Sequence, residues 1–491
     1  MFHMLRKFAA VFLSVAFALM AGGCGNIAVH EELRGRGREP IVIRIAWWGG
    51  EERHTVTEQV LALYSREHPE VTFEMQSYTW DDYFDILSRK AAQGDMPDLI
   101  QMDYQYITTY SENGSLADLM PFVEDGTIRT EDMEGAVLES GVIDGRMTGI
   151  VLGTGLICTV CNPQVFEEAG LPLPAEDWTW EDFADICIRI KEKTGKYGAA
   201  MTPILDMNLY HYWVRQHGEE LFSPDGDSLG YEEDSIYVEY VKMFKGLIDA
   251  GAVPDSDSWA AINVRGAELL PVVTGDCGMI QEWNNFPVRM SYVNEGLKLV
   301  TLPLLSADEG NIQEEIRESG QSNAPERGQG HNPESGQSNA PESSQGHNPE
   351  SGRSADQGRG YALWLKPGMF FSVAETSSVK RECAQFIDWF LHSEEANALL
   401  GGERGVPVSR KIRDSMSDDE TLPEALREML CFSEEAMSLC GDTPPPEPSG
   451  IDGINAVFAE TANAYFYGMI SAEEAAEEFR RRTNEILQSN Y

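Results

Sequence analysis

The residues from Ile41 to Trp48 are almost wholly apolar and stop at Gly49 and Gly50, which predicts a first strand. Apolar residues then fall at Val56, Val60, Leu61, Leu63 and Tyr64, a helical spacing that predicts a helix over Thr55–His68. Pro69 ends it, because proline has no N–H to continue the ladder. Val71 to Gln76 reads as a second strand, Tyr83 to Ala92 as a second helix stopped by Gly94, and Asp98 to Met102 as a third strand. Strands alternating with helices predict a parallel sheet with covering helices. Ligands in such sheets sit beyond the carboxyl ends of the strands. Here those ends are Trp47–Gly49 and Asp103–Tyr106.

The alternation continues. Trp178 to Lys193 is predicted as a helix, opened by Thr179 with acidic residues behind it. Ile236 to Ala250 is another, closed by Gly251. Gly278 to Gln281 reads as a strand running into Glu282, Trp283, Asn284 and Asn285, and Leu297 to Leu304 as a further strand. Then the pattern breaks. The polar stretch from Glu318 to Glu326 recurs at Glu334 to Glu342, a period of 16 residues, and a third copy starts at Glu350. It holds almost nothing apolar, so burial cannot offset its ordering entropy and it is expected to be disordered. We read residues from about 307 to 357 as an insert in a loop, because Tyr361 to Leu365 resumes the folded pattern. Lys380 to Leu391, Glu424 to Leu430 behind Pro423, and Ala472 to Leu487 are predicted helices; a Pro-rich link, Pro444 to Pro448, precedes the last part.

The first residues carry a different signal. Arg6 and Lys7 precede an apolar run from Phe8 to Met20, too short for the ~20 residues of a membrane helix. Basic start, short apolar core and small residues describe a secretory signal. Cys24 follows Ala21, Gly22 and Gly23 in the manner of a lipoprotein box, although Ala21 stands where such boxes usually have Leu. The expectation is a signal over residues 1–23, a lipid on Cys24, and a charged tether over 24–39.

A chain of 491 residues, 42% hydrophobic, suits two large lobes. Its 37 basic and 81 acidic residues give a formal charge of −44, which argues against nucleic acid as a partner. The same balance disfavours anionic solutes by default, although a local basic pocket can override a global field. Setting Cys24 aside leaves seven cysteines. Cys158 and Cys161 form a lone C-x-x-C with no second pair or His pair at zinc spacing, so they read as buried structural thiols; Cys431 and Cys440 are near enough in sequence to pair across a loop. No metal or cofactor is expected.

Several stretches, taken in order, resemble the extracellular solute-binding proteins of family 1, which serve sugar ABC importers and share the maltose-binding-protein architecture. They are Ile45–Gly49, Gly94–Ile100, Asn162–Leu171 followed by Trp178–Phe183, Gly275–Met279 with Trp283, Gly360-Tyr361, Phe371–Glu375 and Arg404–Val408. The first strand departs with two tandem tryptophans, and Cys161-Asn162 replaces the usual Tyr-Asn. The resemblance implies an α/β chain of the two-lobed periplasmic-binding-protein type II fold, with a ligand cleft between the lobes. On that basis 40–153 and 285–375 are expected in lobe 1, and 154–284 and 376–491 in lobe 2. It further implies a monomer that binds a carbohydrate and delivers it to ABC permease subunits at a membrane, which it reaches through its lipid anchor.

A sugar has polar edges and apolar C–H faces, so its binder needs flat aromatic rings and fixed donors and acceptors. The chain has 10 Trp and 17 Tyr. Trp47, Trp48, Tyr104, Tyr210, Trp213, Trp283 and Tyr361 fall at predicted strand ends or loops facing the cleft, with Gln105, Asn284 and Arg404 as polar neighbours. Tyr210, Trp213 and Trp283 match in place the stacking residues of the maltose-type relatives. Trp178 and Trp180 read as packing at a helix start. Other solutes, a peptide or polyamine, and a sensor or adhesin that kept the fold, are the alternatives. An enzyme is the rival class: Asp81-Asp82, Asp98 and Asp103 are candidate glycosidase carboxylates, but Asp82 reads as a helix-start residue and no G-x-S-x-G, H-E-x-x-H or Walker A pattern occurs.

Overall fold

The computed structural model describes residues 40–200, 207–306, 361–448 and 450–489. The signal, Cys24, the tether and the repeat insert lie outside the described residues. Twelve strands are described: β1 (Ile41–Trp48), β2 (Val71–Tyr78), β3 (Leu99–Met102), β4 (Val142–Ile143), β5 (Arg146–Met147), β6 (Ile150–Gly155), β7 (Ile157–Cys161), β8 (Tyr197–Ala199), β9 (Cys277–Trp283), β10 (Lys298–Val300), β11 (Lys366–Val373) and β12 (Val406–Pro407). They form two main sheets, one in each lobe, and a small β4–β5 hairpin.

The first sheet has the order β12-β6-β11-β3-β1-β2. β1 pairs in parallel with β2 and β3, as the alternating pattern predicts. All four residues of β3 are buried, which fits a strand covered on both faces. The second sheet has the order β10-β7-β9-β8. No helix among the described residues is long and apolar enough to cross a membrane.

Helix ends follow their local chemistry. The helix Trp180–Thr194 begins at a capping box: Thr179 Oγ1 accepts from Asp182 N–H at 3.2 Å, and Asp182 accepts from Thr179 N–H at 2.8 Å. Asn162 caps the helix Pro163–Ala169 by accepting from Gln164 N–H at 3.1 Å. Trp178 is buried and donates to the Thr301 carbonyl at 3.0 Å, so it is packing, as its sequence position suggests.

Lobe membership differs from the boundaries expected above. Residues 285–304 belong with lobe 2, because β10 pairs with β7 and Trp180 N–H donates to the Leu304 carbonyl. Residues 376–408 belong with lobe 1. Phe386 packs edge-on against Tyr64 at 5.0 Å, and β12 pairs with β6. Strand pairing between distant segments decides these memberships, and local periodicity carries no trace of it. The chain passes between sheets at Leu156, again where Leu363 to Leu365 lead into β11, and again between β12 and the helix Glu424–Met437, which packs against both β12 and β10.

The Leu156 crossing is fixed by one residue. Asn284 accepts from Leu156 N–H through Oδ1 at 3.2 Å, and its own N–H donates to the Leu156 carbonyl at 2.9 Å. Its Nδ2 donates to Ser433 Oγ at 2.8 Å. Three segments therefore meet on a single buried amide.

Candidate functional site

A cavity of about 390 Å³ opens between the sheets, where β6, β9 and β11 begin or end. That volume lies within the range of small-molecule sites, about 300–1,000 Å³. From lobe 1 it is lined by Arg53, Trp80, Asp103, Tyr104, Gln105, Thr154, Glu403 and Arg404. From lobe 2 come Trp283, Asn284, Asn285 and Arg289, with Lys366 at the start of β11 and Glu447 from the Pro-rich link.

Two indoles stand on opposite lobes. Trp80 opens the helix Trp80–Gln93 and is 42% exposed. Its ring is braced edge-on by Trp48 at 5.3 Å and Phe84 at 5.4 Å. Trp283 ends β9 and is half-buried.

The polar lining is tightly bonded. Glu403 accepts from both Arg53 and Arg404. Arg404 is buried, donates from Nη2 to Thr57 Oγ1 at 2.7 Å, and keeps Nε without a partner. Burial lowers its pKa to about 10, so it stays cationic at neutral pH. Gly405 next to it has φ +91°, and a Cβ there would lie 2.7 Å from the Thr154 carbonyl oxygen; glycine allows this turn into β12. Asp103 accepts from Gln105 N–H at 2.9 Å, and burial raises its pKa above the usual value despite Lys366 and Arg53 nearby. Glu447 pairs with Lys366 at 3.3 Å.

Of the residues picked from sequence, Tyr104, Gln105, Trp283, Asn284 and Arg404 are brought together around this cavity. Tyr104 is turned inward: its hydroxyl donates to the Pro444 carbonyl at 3.0 Å and burial raises its pKa to about 12. Asn284 spends its amide on the crossing described above.

The other five are corrections. Trp47 is fully buried, with Nε1 donating to His54 Nδ1 at 3.1 Å. Trp48 is buried among Trp80, Tyr83 and Phe84 and supports the cavity from behind. Tyr210 and Trp213, on the helix Met207–Gln216, are fully buried in lobe 2. Tyr210 donates to the Tyr231 hydroxyl at 2.9 Å and stacks on Phe458 at 4.9 Å; Trp213 donates to the Ile236 carbonyl at 3.0 Å. Their polar atoms are satisfied inside the lobe, so neither reaches solute. Tyr361 is half-buried and donates to the Glu176 carbonyl, away from the cavity.

Sequence reading missed Trp80, Arg53, Arg289, Lys366, Glu403 and Glu447 as site residues. The signal for Trp80 existed: it follows β2, and the strand-end rule that picked Trp47 applies equally after Tyr78. Glu403 and Asn285 adjoin residues already picked.

Two of the rival carboxylates, Asp98 and Asp82, have structural work. Asp98 accepts from Arg44 N–H at 2.9 Å and Ser377 Oγ at 2.7 Å, and Asp82 accepts from Thr79 Oγ1 at 3.1 Å. Cys158 and Cys161 are buried free thiols, and Cys431 and Cys440 are also unpaired. Among the described residues no cluster of three His, Cys, Asp or Glu could hold a metal ion.

A family model described as bacterial extracellular solute-binding protein matches residues 49–308, and the chain belongs to that family. Membership puts it on the extracytoplasmic side. Relatives from Brucella abortus, named as binding proteins, are 24% identical over 216 residues, 42% of this chain and 50% of theirs. The chain thus spans about half the length of those relatives. An ABC transporter extracellular-binding protein of Pyrococcus horikoshii is 25% identical over 53% of this chain and 63% of its own. Among solved structures, a family 1 extracellular solute-binding protein from Alicyclobacillus acidocaldarius superposes with TM-score 0.69 at 23% identity, covering 92% of this chain and 99% of its own. An oligogalacturonide-binding protein of Yersinia enterocolitica, in complex with saturated digalacturonic acid, gives 0.66 at 20%, covering 91% and 99%. The GacH receptor of Streptomyces glaucescens, solved unliganded and with acarbose, gives 0.64 at 14%, covering 91% and 99%. These likenesses establish the two-lobed fold.

Proposed function

We propose that this protein is the solute-binding component of an ABC importer, that it takes a carbohydrate between its two lobes, and that it hands the solute to a permease. One observation carries this reading: Trp80 and Trp283, from opposite lobes, line a single cavity whose walls also carry polar and charged side chains. Such a cavity matches the two apolar faces and the hydroxyl rim of a sugar ring. The solved relatives named for oligogalacturonide and crystallised with acarbose support the same class. A ligand that touches both lobes favours the closed form, because only differential contact shifts an equilibrium. Closure also creates the shape that a permease can recognise.

The protein is anchored by lipid on Cys24 in this reading, with the tether over 24–39 giving it reach. Cys24→Ala should release it or leave it unprocessed. The function itself is tested by small-angle scattering on the purified protein with sugars drawn from a thermal-shift screen. A sugar that stabilises the protein should also shrink its radius of gyration. Stabilisation by a peptide or polyamine alone, or binding with no compaction, would contradict the proposal.

A further inference from the structure

The charge balance of the cavity is inverted relative to the chain. The chain has 37 basic and 81 acidic residues, yet four cations, Arg53, Arg289, Lys366 and Arg404, line the cavity against three carboxyl groups. The acids are also the committed partners. Glu403 is bound between Arg53 and Arg404, Glu447 is held by Lys366, and Asp103 accepts from backbone. Donors are left over. Arg289 is exposed at the cavity wall. Lys366 has one carboxylate partner for three protons and sits over the Trp283 ring, 5.4 Å from its centroid. A neutral sugar's hydroxyls can accept from these donors but bring no charge to balance the cations. A carboxylate brings only acceptors and pairs with such donors by charge-assisted hydrogen bonds.

We propose that the solute is an acidic carbohydrate of the uronate class, its carboxylate held by Arg289 and Lys366 beside Trp283. Glu447 then acts as a resident counter-ion on Lys366 that the solute's carboxylate joins or displaces. The local cations override the repulsion expected from the chain's formal −44 charge.

This inference rests on the carbohydrate reading above, and the test separates the two. Calorimetry is run with a panel of disaccharides bearing C6 carboxylates, each beside its carboxyl-reduced neutral form. At least one diuronate should bind tenfold or more tighter than its neutral form, and the gap should narrow as salt rises, because screening weakens the charge pairing. In Arg289→Gln and Lys366→Gln the ratio should fall toward one, while the melting temperature of the exposed Arg289 variant stays put. A neutral form binding as tightly as its diuronate would overturn the acidic-sugar proposal and leave the carbohydrate reading standing. Binding of neither form across the panel would overturn both. A wild-type preference that both variants retain would overturn the assignment of the carboxylate to these cations.

Discussion

The Lys366 ammonium sits 5.4 Å from the centroid of the Trp283 ring, where the last residue of β9 meets the first residue of β11. Those strands belong to different sheets, so this cation–π contact, worth about 0.5–2 kcal/mol, spans the junction of the lobes. Behind the ring lies Gly155, where an added Cβ would approach Trp283 Cε3 to 3.1 Å.

Gly155→Val should therefore push the Trp283 ring out of place. The expected result is solute affinity weakened by about tenfold, the loss of roughly 1.4 kcal/mol, with far-UV circular dichroism preserved. Calorimetry beside a thermal melt checks it. Unchanged affinity in a folded variant would show that the position of this ring does not matter.

Truncating the lobe 2 aromatics should have the opposite signature. Trp213 is fully buried against Trp180 at 5.4 Å and Tyr240 at 5.7 Å. Trp213→Ala should cost about 3–5 kcal/mol of stability, the usual range for a large core side chain. Urea denaturation reads this directly. A variant of native stability with weakened binding would return Trp213 to the cleft.

The contrast between Trp283 and Trp213 marks what was legible in the sequence. Element types were plain, because β1, β2, β3 and the helices between them keep clear periods. The β9 strand end pointed to Trp283, which lines the cavity. Family position pointed to Tyr210 and Trp213, but burial depends on what packs over a helix. Here Phe458 and Phe479, from segments far along the chain, and Tyr240 from the next helix cover that face. Lys366 and Glu447 were invisible for a similar reason. One opens a strand after a long insert and the other lies in a Pro-rich link, and only the fold brings them together.

A pH-dependent contribution to stability should come from His392. Its ring lies between Asp388, 3.3 Å away, and Asp132, 3.5 Å away, with Arg129 bound to the same Asp388 at 2.8 Å. Burial pulls the His392 pKa down, but the hydrogen bonds and charge of Asp388 outweigh this and raise it. Burial likewise raises Asp388, yet His392 and Arg129 bring it down to about 2. A raised histidine stabilises fully below its unfolded pKa of ~6.5 and loses that contribution as pH rises through its folded value. The depressed Asp388 contributes above its unfolded pKa of ~3.9 and loses this as pH falls toward about 2. The stability difference between wild type and His392→Gln should thus shrink as pH rises from roughly 6 to 9, within the range where histidine titrates. Chemical denaturation across that range checks it; a difference that does not change with pH would refute it.

The most direct test of the cleft is calorimetry of one bound sugar against wild type, Trp80→Ala and Trp283→Ala. Trp80 is 42% exposed and Trp283 half-buried, so neither change should unfold the protein. If the solute lies between the lobes, each variant should lose roughly 2 kcal/mol, about thirtyfold in Kd. Full affinity in either folded variant would mean that the solute does not bridge the two lobes through these rings.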